Sequence, residues 1–319
     1  VATGETGEAW RAVLTYATDL FEPSTIEALG ARFVRVLAGA LTAPETPVGD
    51  VPLVLADEPT AVLAESAGPL EPVLDETIAE AVAASVARVP EAVALIAGDR
   101  EVTYREFGVR VGALGHRLAA IGVGPDSAVG VVMDRSVELV IAVHAIMAAG
   151  GQYVPIAIDA PLDRARYIAR TAGVGAVLTS AAEAAPDYVT ALDVPVIEVD
   201  GAAELPVDVP SLTPGLGTAL RSGLAAYTLF TSGSTGVPKG VTVSHRAVRN
   251  FVVWFDELVP AGDQRLLFKT PHTFDASVLE LFWPLATGRT MVIADAQGHR
   301  DPRYLADVMN EAGVTVVQF

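Results

Sequence analysis

"LFTSGSTGVPKGVTVSH", residues 229–245, is the stretch from which the rest of the chain is read. Apolar Leu229 and Phe230 run into six positions, 231–236, filled by four hydroxyl residues and two glycines; Pro238, Lys239 and Gly240 close the loop. Glycines let successive backbone N–H groups turn toward one point and form an anion-binding nest, and Ser and Thr add hydroxyl donors. Lys239 adds a flexible point charge able to reach a phosphate. Residues 225–230 read as a strand, and loops leaving strand ends in α/β sheets are where nucleotides bind. The chemistry suits a polyphosphate. The spacing is not that of a Walker A loop, which needs Gly-Lys-Ser/Thr opening a helix, nor of Gly-x-Gly-x-x-Gly, so kinase-like and dinucleotide readings lose ground. A solvent loop rich in Ser and Gly by accident is the bland alternative; the ordered strand before it and the Pro-Lys-Gly after it speak against that.

Upstream, helical and extended patterns alternate. The pattern predicts a helix near 77–88, a strand at 93–97, a Gly98-Asp99 turn, and a helix opened by a Thr103–Glu106 capping box. That helix presents Phe107, Val111, Leu114, Leu118 and Ile121 on one face and ends at Gly122. Strand 128–132, helix 136–149, strand 153–158, helix 162–172 and strand 175–179 follow. Downstream, Asp301 caps a helix with Pro302 at its first position, Gly313 closes it, and 314–319 reads as an apolar strand. Strands alternating with helices predict an α/β fold with mainly parallel sheets flanked by helices. Residues 10–21, "WRAVLTYATDLF", read as a strand by period-2 alternation. Next comes a helix with a Ser24–Glu27 capping box and an apolar line of Ile26, Leu29, Phe33, Leu37 and Leu41. Residues 42–72, rich in Pro, read as a linker.

Net charge is −18, which argues against a nucleic-acid or anionic-membrane binder. The chain has no cysteine, so disulfides, thiolate catalysis and zinc–sulfur sites are excluded. A reducing cytoplasm fits. The five histidines lack metal-ligand spacing, so no metal site is expected. The longest apolar run, 137–149, is too short for a bilayer and carries Glu138 and His144. Residue 1 is Val, and "VTVVQF" ends the chain in what reads as a buried strand, so we expect a segment of a longer polypeptide.

"TSGSTGVPKG" resembles the phosphate loop of the adenylate-forming enzymes, and more narrowly that of adenylation domains of nonribosomal peptide synthetases. "VTYREF" (102–107), "AAGGQYVPI" (148–156) and "FDASVLELFWPL" (274–285) match further family motifs in the family's order, across residues 75–319. "TPVGDVPL" and the strand-helix before it resemble the C-terminal end of a condensation domain, with less specific residues. The resemblance implies a condensation remnant at 1–55, a linker at 56–74 and the N-terminal core of an adenylation domain at 75–319.

It further implies that Thr231, Ser232, Gly233, Ser234, Thr235, Gly236 and Lys239 grip the phosphates of ATP, with Mg²⁺ sharing the charge. A substrate carboxylate attacks the α-phosphorus. Asp275 pairs with the α-ammonium of an amino acid; a helix N-cap is its plain alternative. Ala276 and Leu279 line the amino-acid pocket, and Leu279 stands where many relatives carry Trp. Implied partners are neighbouring condensation and carrier domains, the latter bearing phosphopantetheine, and in many relatives a small MbtH-like helper protein. His245 and His272, beside motifs, read as structural or solvent-facing, and Tyr104 and Tyr153 as packing residues. Ala157 departs from the family's usual Asp, with Asp159 two residues on. The adenine and ribose contacts, the lysine that completes adenylation and a carrier serine are not in the sequence. The resemblance therefore implies that the 319-residue chain is inactive alone. An acyl- or aryl-CoA ligase and a non-catalytic interdomain scaffold stay open as alternatives.

Overall fold

The computed structural model describes residues 12–54, 58–67, 75–182, 184–199, 212–214, 220–231 and 237–319. The chain divides between Pro72 and Val73 into two compact units.

The second unit holds two sheets. Strands β1 (Val93–Ala97) and β2 (Arg100–Thr103) form a hairpin about Gly98, whose φ of +56° is the left-handed conformation the turn needs. With β9 (Arg265–Phe268) and β10 (Thr290–Ile293) they make a four-stranded sheet of order β2-β1-β10-β9, parallel apart from that hairpin. The six-stranded sheet runs β6-β5-β3-β4-β7-β8. Its strands are β3 (Ala128–Val132), β4 (Gln152–Pro155), β5 (Val174–Ser180), β6 (Val196–Val199), β7 (Ala225–Thr231) and β8 (Lys239–Ser244). Only the β7–β8 pair in it is antiparallel.

Helices α3 (Ile78–Arg88), α4 (Tyr104–Ala120), α5 (Val137–Ala148), α8 (His245–Leu258) and α9 (Ser277–Thr287) share one core with the inner faces of both sheets. The alternation along β3 shows how: Val129 and Val131 join that core, while Ala128 and Val132 face α6 (Leu162–Ala172) on the outer side. Helix α10 (Pro302–Glu311) covers the outer face of the four-stranded sheet through Leu305. In helix α5 every residue but Glu138, which pairs with Arg100 (3.2 Å), is buried in this core, and so its sequence is apolar on nearly all sides. At its C-terminal end, Gly150 has a φ of +94°, and a Cβ on Gly151 would sit 2.9 Å from the Ser127 carbonyl oxygen. Both glycines of "AAGG" are therefore structural. Parallel strands with helices on both faces bear out the α/β expectation.

Several local readings need correction. The full capping box is Thr77–Glu80, where Thr77 Oγ1 accepts from the Glu80 N–H (3.2 Å) and Glu80 accepts from the Thr77 N–H (2.8 Å). At Thr103 only half forms, because the Glu106 carboxylate pairs with Arg110 (2.9 Å) instead. Ile121 falls past the end of α4 and is exposed, unlike the other four residues of its line. Strand β4 stops at Pro155, which cannot donate to a ladder, so it is shorter than 153–158. Residues 314–319 make one parallel bridge, Leu266 to Val316, in place of a full strand.

In the first unit, residues 12–17 form no strand, since among the described residues nothing pairs with them; residues 10 and 11 lie outside the described set. Helix α1 (Pro23–Thr42) starts at Pro23 with Glu22 as N-cap and no side-chain cap bond, so the Ser24–Glu27 box does not form. The proline-rich stretch read as linker carries helix α2 (Glu58–Ser66). No described helix is long and apolar enough to cross a membrane.

Candidate active site

Strands β7 and β8 put Thr231 directly opposite Lys239, so the two ends of the quoted loop face each other across an antiparallel pair. Strand β8 was missed in the sequence, although "VTVS" alternates; the loop's composition drew the reading away from its exit. Ser232, Gly233, Ser234, Thr235 and Gly236 lie outside the described residues. Below the loop the hydroxyls interlock, with Thr228 Oγ1 2.7 Å from Thr242 Oγ1 and donating to Gln152 (2.6 Å). Gly240 is required by close approach: a Cβ there would lie 3.0 Å from the Phe230 ring. Tyr167 of α6 donates to the Pro238 carbonyl (3.0 Å) and sets its ring edge-on to Phe230. Lys239 itself is exposed.

Asp275 stands between two cavities. One, of about 450 Å³, lies past the C-terminal ends of β4 and β7 and is lined by Pro155, Ala157, Arg164, Thr231, Phe274 and Asp275, among others. That is where a parallel sheet places its ligands. The other, of about 380 Å³, is mostly apolar; Tyr227, Val248, Phe251, Asp275, Ala276 and Gln318 contribute to its wall. The plain alternative for Asp275 is not realised: the N-cap of α9 is Ala276, with no side-chain cap bond. The Asp275 carboxylate is exposed and forms no ion pair with a described residue. Burial, and after it the negative charge of Asp275, holds the Tyr227 hydroxyl above its ordinary pKa.

Thr231, Asp275 and Ala276 thus meet around two adjoining cavities. Leu279 does not reach either. It is buried and borders a third, apolar hollow of about 330 Å³ with Phe251, Trp254, Leu266, Val316 and Gln318. Arg164, Tyr227 and Gln318 were not singled out in the sequence. Each belongs to an ordinary strand or helix pattern, and only the fold brings it to a cavity.

The sequence profile of the AMP-binding enzymes matches residues 82–319. The chain belongs to the AMP-binding enzyme family. Phosphinothricin tripeptide synthetase PhsB of Streptomyces viridochromogenes is 37% identical over all of this chain, which spans 27% of that protein. Tyrocidine synthase 3 of Brevibacillus parabrevis is 32% identical over 96% of the chain, which spans 5% of it. Crystal structures of the nonribosomal peptide synthetase FmoA3, one with AMPPNP and one with α-methyl-L-serine-AMP, superpose with TM-scores of 0.74 and 0.74. They are 31% and 30% identical, covering 92% and 94% of this chain and 31% and 33% of theirs. The fold is that of nonribosomal peptide synthetase adenylation domains.

Within this AMP-binding fold the remaining marked residues are structural. Tyr104 donates to the carbonyls of Pro284 (3.1 Å) and Arg289 (2.7 Å), and burial drives its pKa up. Tyr153 is buried against Tyr227 and Phe282. His245 and His272 are buried, not solvent-facing, and burial lowers each pKa to about 4, so both are neutral. At Ala157 the local structure uses the backbone, whose carbonyl accepts from Tyr188 (2.7 Å).

Proposed function

We propose that this chain supplies the phosphate-gripping and amino-acid-recognising parts of an ATP-dependent adenylation site. The observation that carries the reading is the position of Asp275 on the shared wall of two cavities. One of them reaches Thr231 at the root of the phosphate loop; the other is largely apolar. An α-amino acid bound there pairs its ammonium with Asp275, turns its side chain into the apolar cavity and its carboxylate toward the loop. The carboxylate oxygen forms a bond to the α-phosphorus of ATP, the bond from that phosphorus to the bridging oxygen breaks, and pyrophosphate leaves. Thr231, Lys239 and the residues from Ser232 to Gly236 hold the phosphates in line. Catalysis of this kind is positioning plus charge stabilisation. Asp275 selects amino acids over plain carboxylic acids, because a desolvated ammonium without a counter-charge is costly.

Among the described residues no three His, Cys, Asp or Glu side chains converge as a metal cage. Mg²⁺ arriving with ATP would share the charge of the phosphates held by the loop. FmoA3 complexes with AMPPNP and an aminoacyl-AMP support both the nucleotide and the substrate class. We assign residues 1–55 to the end of a condensation domain, 56–74 to a linker and 75–319 to the adenylation core. The phosphopantetheine carrier that receives the aminoacyl group lies outside these residues, and the setting is the cytoplasm.

The test is pyrophosphate exchange, amino acid by amino acid, by the intact synthetase that carries this chain. Exchange with one or two α-amino acids, falling by about 100-fold or more in kcat/KM on Asp275→Ala, is expected when the bound ammonium loses its counter-charge. Exchange confined to acids without an amine moves the protein to the acyl-ligase branch. A folded protein that exchanges with no acid is a scaffold.

A further inference from the structure

The segment that carries Asp275 is held by two buried, oppositely charged side chains that do not bond each other. Arg135 follows β3 and is almost fully buried. Its guanidinium donates to the carbonyls of Lys269 (2.5 Å), Ala294 (2.7 Å) and Ala296 (3.1 Å), and to that of Asp295. Glu280, in α9, has no exposed surface. Its carboxylate accepts from the N–H groups of Lys269 (3.1 Å) and Thr270 (2.8 Å) and from the Thr270 hydroxyl (2.8 Å). The two charges therefore grip the same residue from opposite sides, Arg135 by the Lys269 carbonyl and Glu280 by its N–H.

Beyond Thr270 the chain has little freedom. His272 is buried with its ring bonded to the backbone of Val131. Successive turn bonds then run from Phe274 N–H to the Pro271 carbonyl (3.0 Å), Ser277 N–H to Phe274 (3.1 Å) and Val278 N–H to Asp275 (2.9 Å). Glu280 sits one turn into the helix that follows, so its carboxylate closes residues 269–280 into a ring with Asp275 on the outside.

Buried charges are a poor source of net stability: replacing such pairs with apolar residues of similar volume is frequently neutral or better. What charge-assisted bonds to backbone supply is fixed geometry. Arg135 reaches across from the six-stranded sheet and Glu280 up from α9, so the position of Asp275 is set relative to both sheets at once.

We propose that Arg135 and Glu280 are positioning residues for amino-acid recognition, clamping the Lys269–Thr270 backbone so that Asp275 meets the substrate ammonium. The inference rests on the reading of Asp275 above. The experiment measures pyrophosphate exchange by the intact synthetase against amino acid and against ATP, for the preferred amino acid and its desamino analogue. Thr270→Val removes one donor to Glu280 at preserved shape; Glu280→Gln weakens the whole grip; Arg135→Lys keeps the charge and loses the fork.

Expected are rises in amino-acid KM of about threefold to tenfold for Thr270→Val and about 10- to 100-fold for Glu280→Gln, as for bonds to charged groups. KM for ATP stays within about twofold, and the preference over the desamino analogue falls in step. Both KM values rising together, or a loss of folded protein with the preference intact, would reduce the clamp to a fold-stabilising element and overturn the proposal. If Glu280→Gln does not fold, Thr270→Val decides. Asp275→Ala separates the two layers: if it leaves the preference unchanged, the Asp275 reading fails; if it abolishes the preference and the clamp variants do not, only the clamp fails.

Discussion

Two helices carry nearly the same apolar line and meet opposite fates. In α4, Phe107, Val111, Leu114 and Leu118 are buried, Phe107 completely. In α1, Leu29, Phe33, Leu37 and Leu41 repeat every four residues, yet Phe33 is 52% exposed and no residue of the helix is buried. Both lines are helical by spacing, and both helices form. The difference is the cover: α4 lies against α5 inside the core shared by both sheets, whereas among the described residues of its own unit α1 gets only partial cover, with Leu14 beside Gly30 and Val51 beside Gly39. Periodicity tells which face of a helix seeks burial, and a second element has to supply the burial.

Acid should separate the two regions most sharply. His144, His245 and His272 all belong to the second unit, and residues 1–72 contain no histidine. Burial lowers each of the three from an ordinary 6.5 to about 4, so the folded state keeps them neutral while the unfolded chain protonates them. Their contribution is complete above pH 6.5 and is lost as pH falls toward 4, by about 3 kcal/mol each at pH 4. Glu280, whose pKa burial raises, works in the opposite direction but is one group against three. The urea midpoint followed by near-ultraviolet dichroism, with Trp283 buried in this unit, should fall steeply between pH 6.5 and 4. A flat midpoint over that range would mean that the histidines are not held neutral.

The next test cuts the covered stripe. Phe107→Ala should cost about 3–5 kcal/mol, the range for an aromatic ring removed from a close-packed core. The ring also meets His144 edge-on at 5.4 Å, so the loss reaches the neighbouring helix. Denaturant unfolding of the two chains side by side gives the number. A cost below about 1 kcal/mol would mean that the α4–α5 contact is looser than its burial implies.

What could be read in advance follows the same line. The strands at 93–97 and 128–132 and the helix at 162–172 form at the expected residues because their signals are local: alternation, apolar runs and punctuating Gly or Pro. Asp275 and Ala276 were legible through a motif, and the structure puts them on one cavity wall. Leu279 was assigned to the amino-acid pocket by the same resemblance; the turn of α9 places it on the neighbouring hollow. Arg135 lies in none of the quoted motifs, and Glu280, though inside "FDASVLELFWPL", was given no role; what joins them is a meeting on Lys269 that only the fold creates. The strand expected at 10–21 failed for the converse reason: alternation without a described partner makes no ladder.

The smallest expected effect lies on α1 and is the most direct check of the comparison. Phe33→Ala removes the same ring from the same kind of stripe, but from a side chain already half in water. Little apolar area returns to solvent, and Ala is the better helix former, so propensity offsets part of the loss. The net change in unfolding free energy of the chain should stay within about 0.5 kcal/mol, as for surface positions generally. A cost approaching that of Phe107→Ala would show that the α1 stripe is covered in solution, and the contrast between the two helices would then vanish. If the small value holds for this chain but rises to several kcal/mol in the intact synthetase, the cover comes from residues outside these 319. That outcome would tie the apolar line of α1 to the condensation-domain assignment, because a helix bearing such a line at the end of a larger domain packs against that domain.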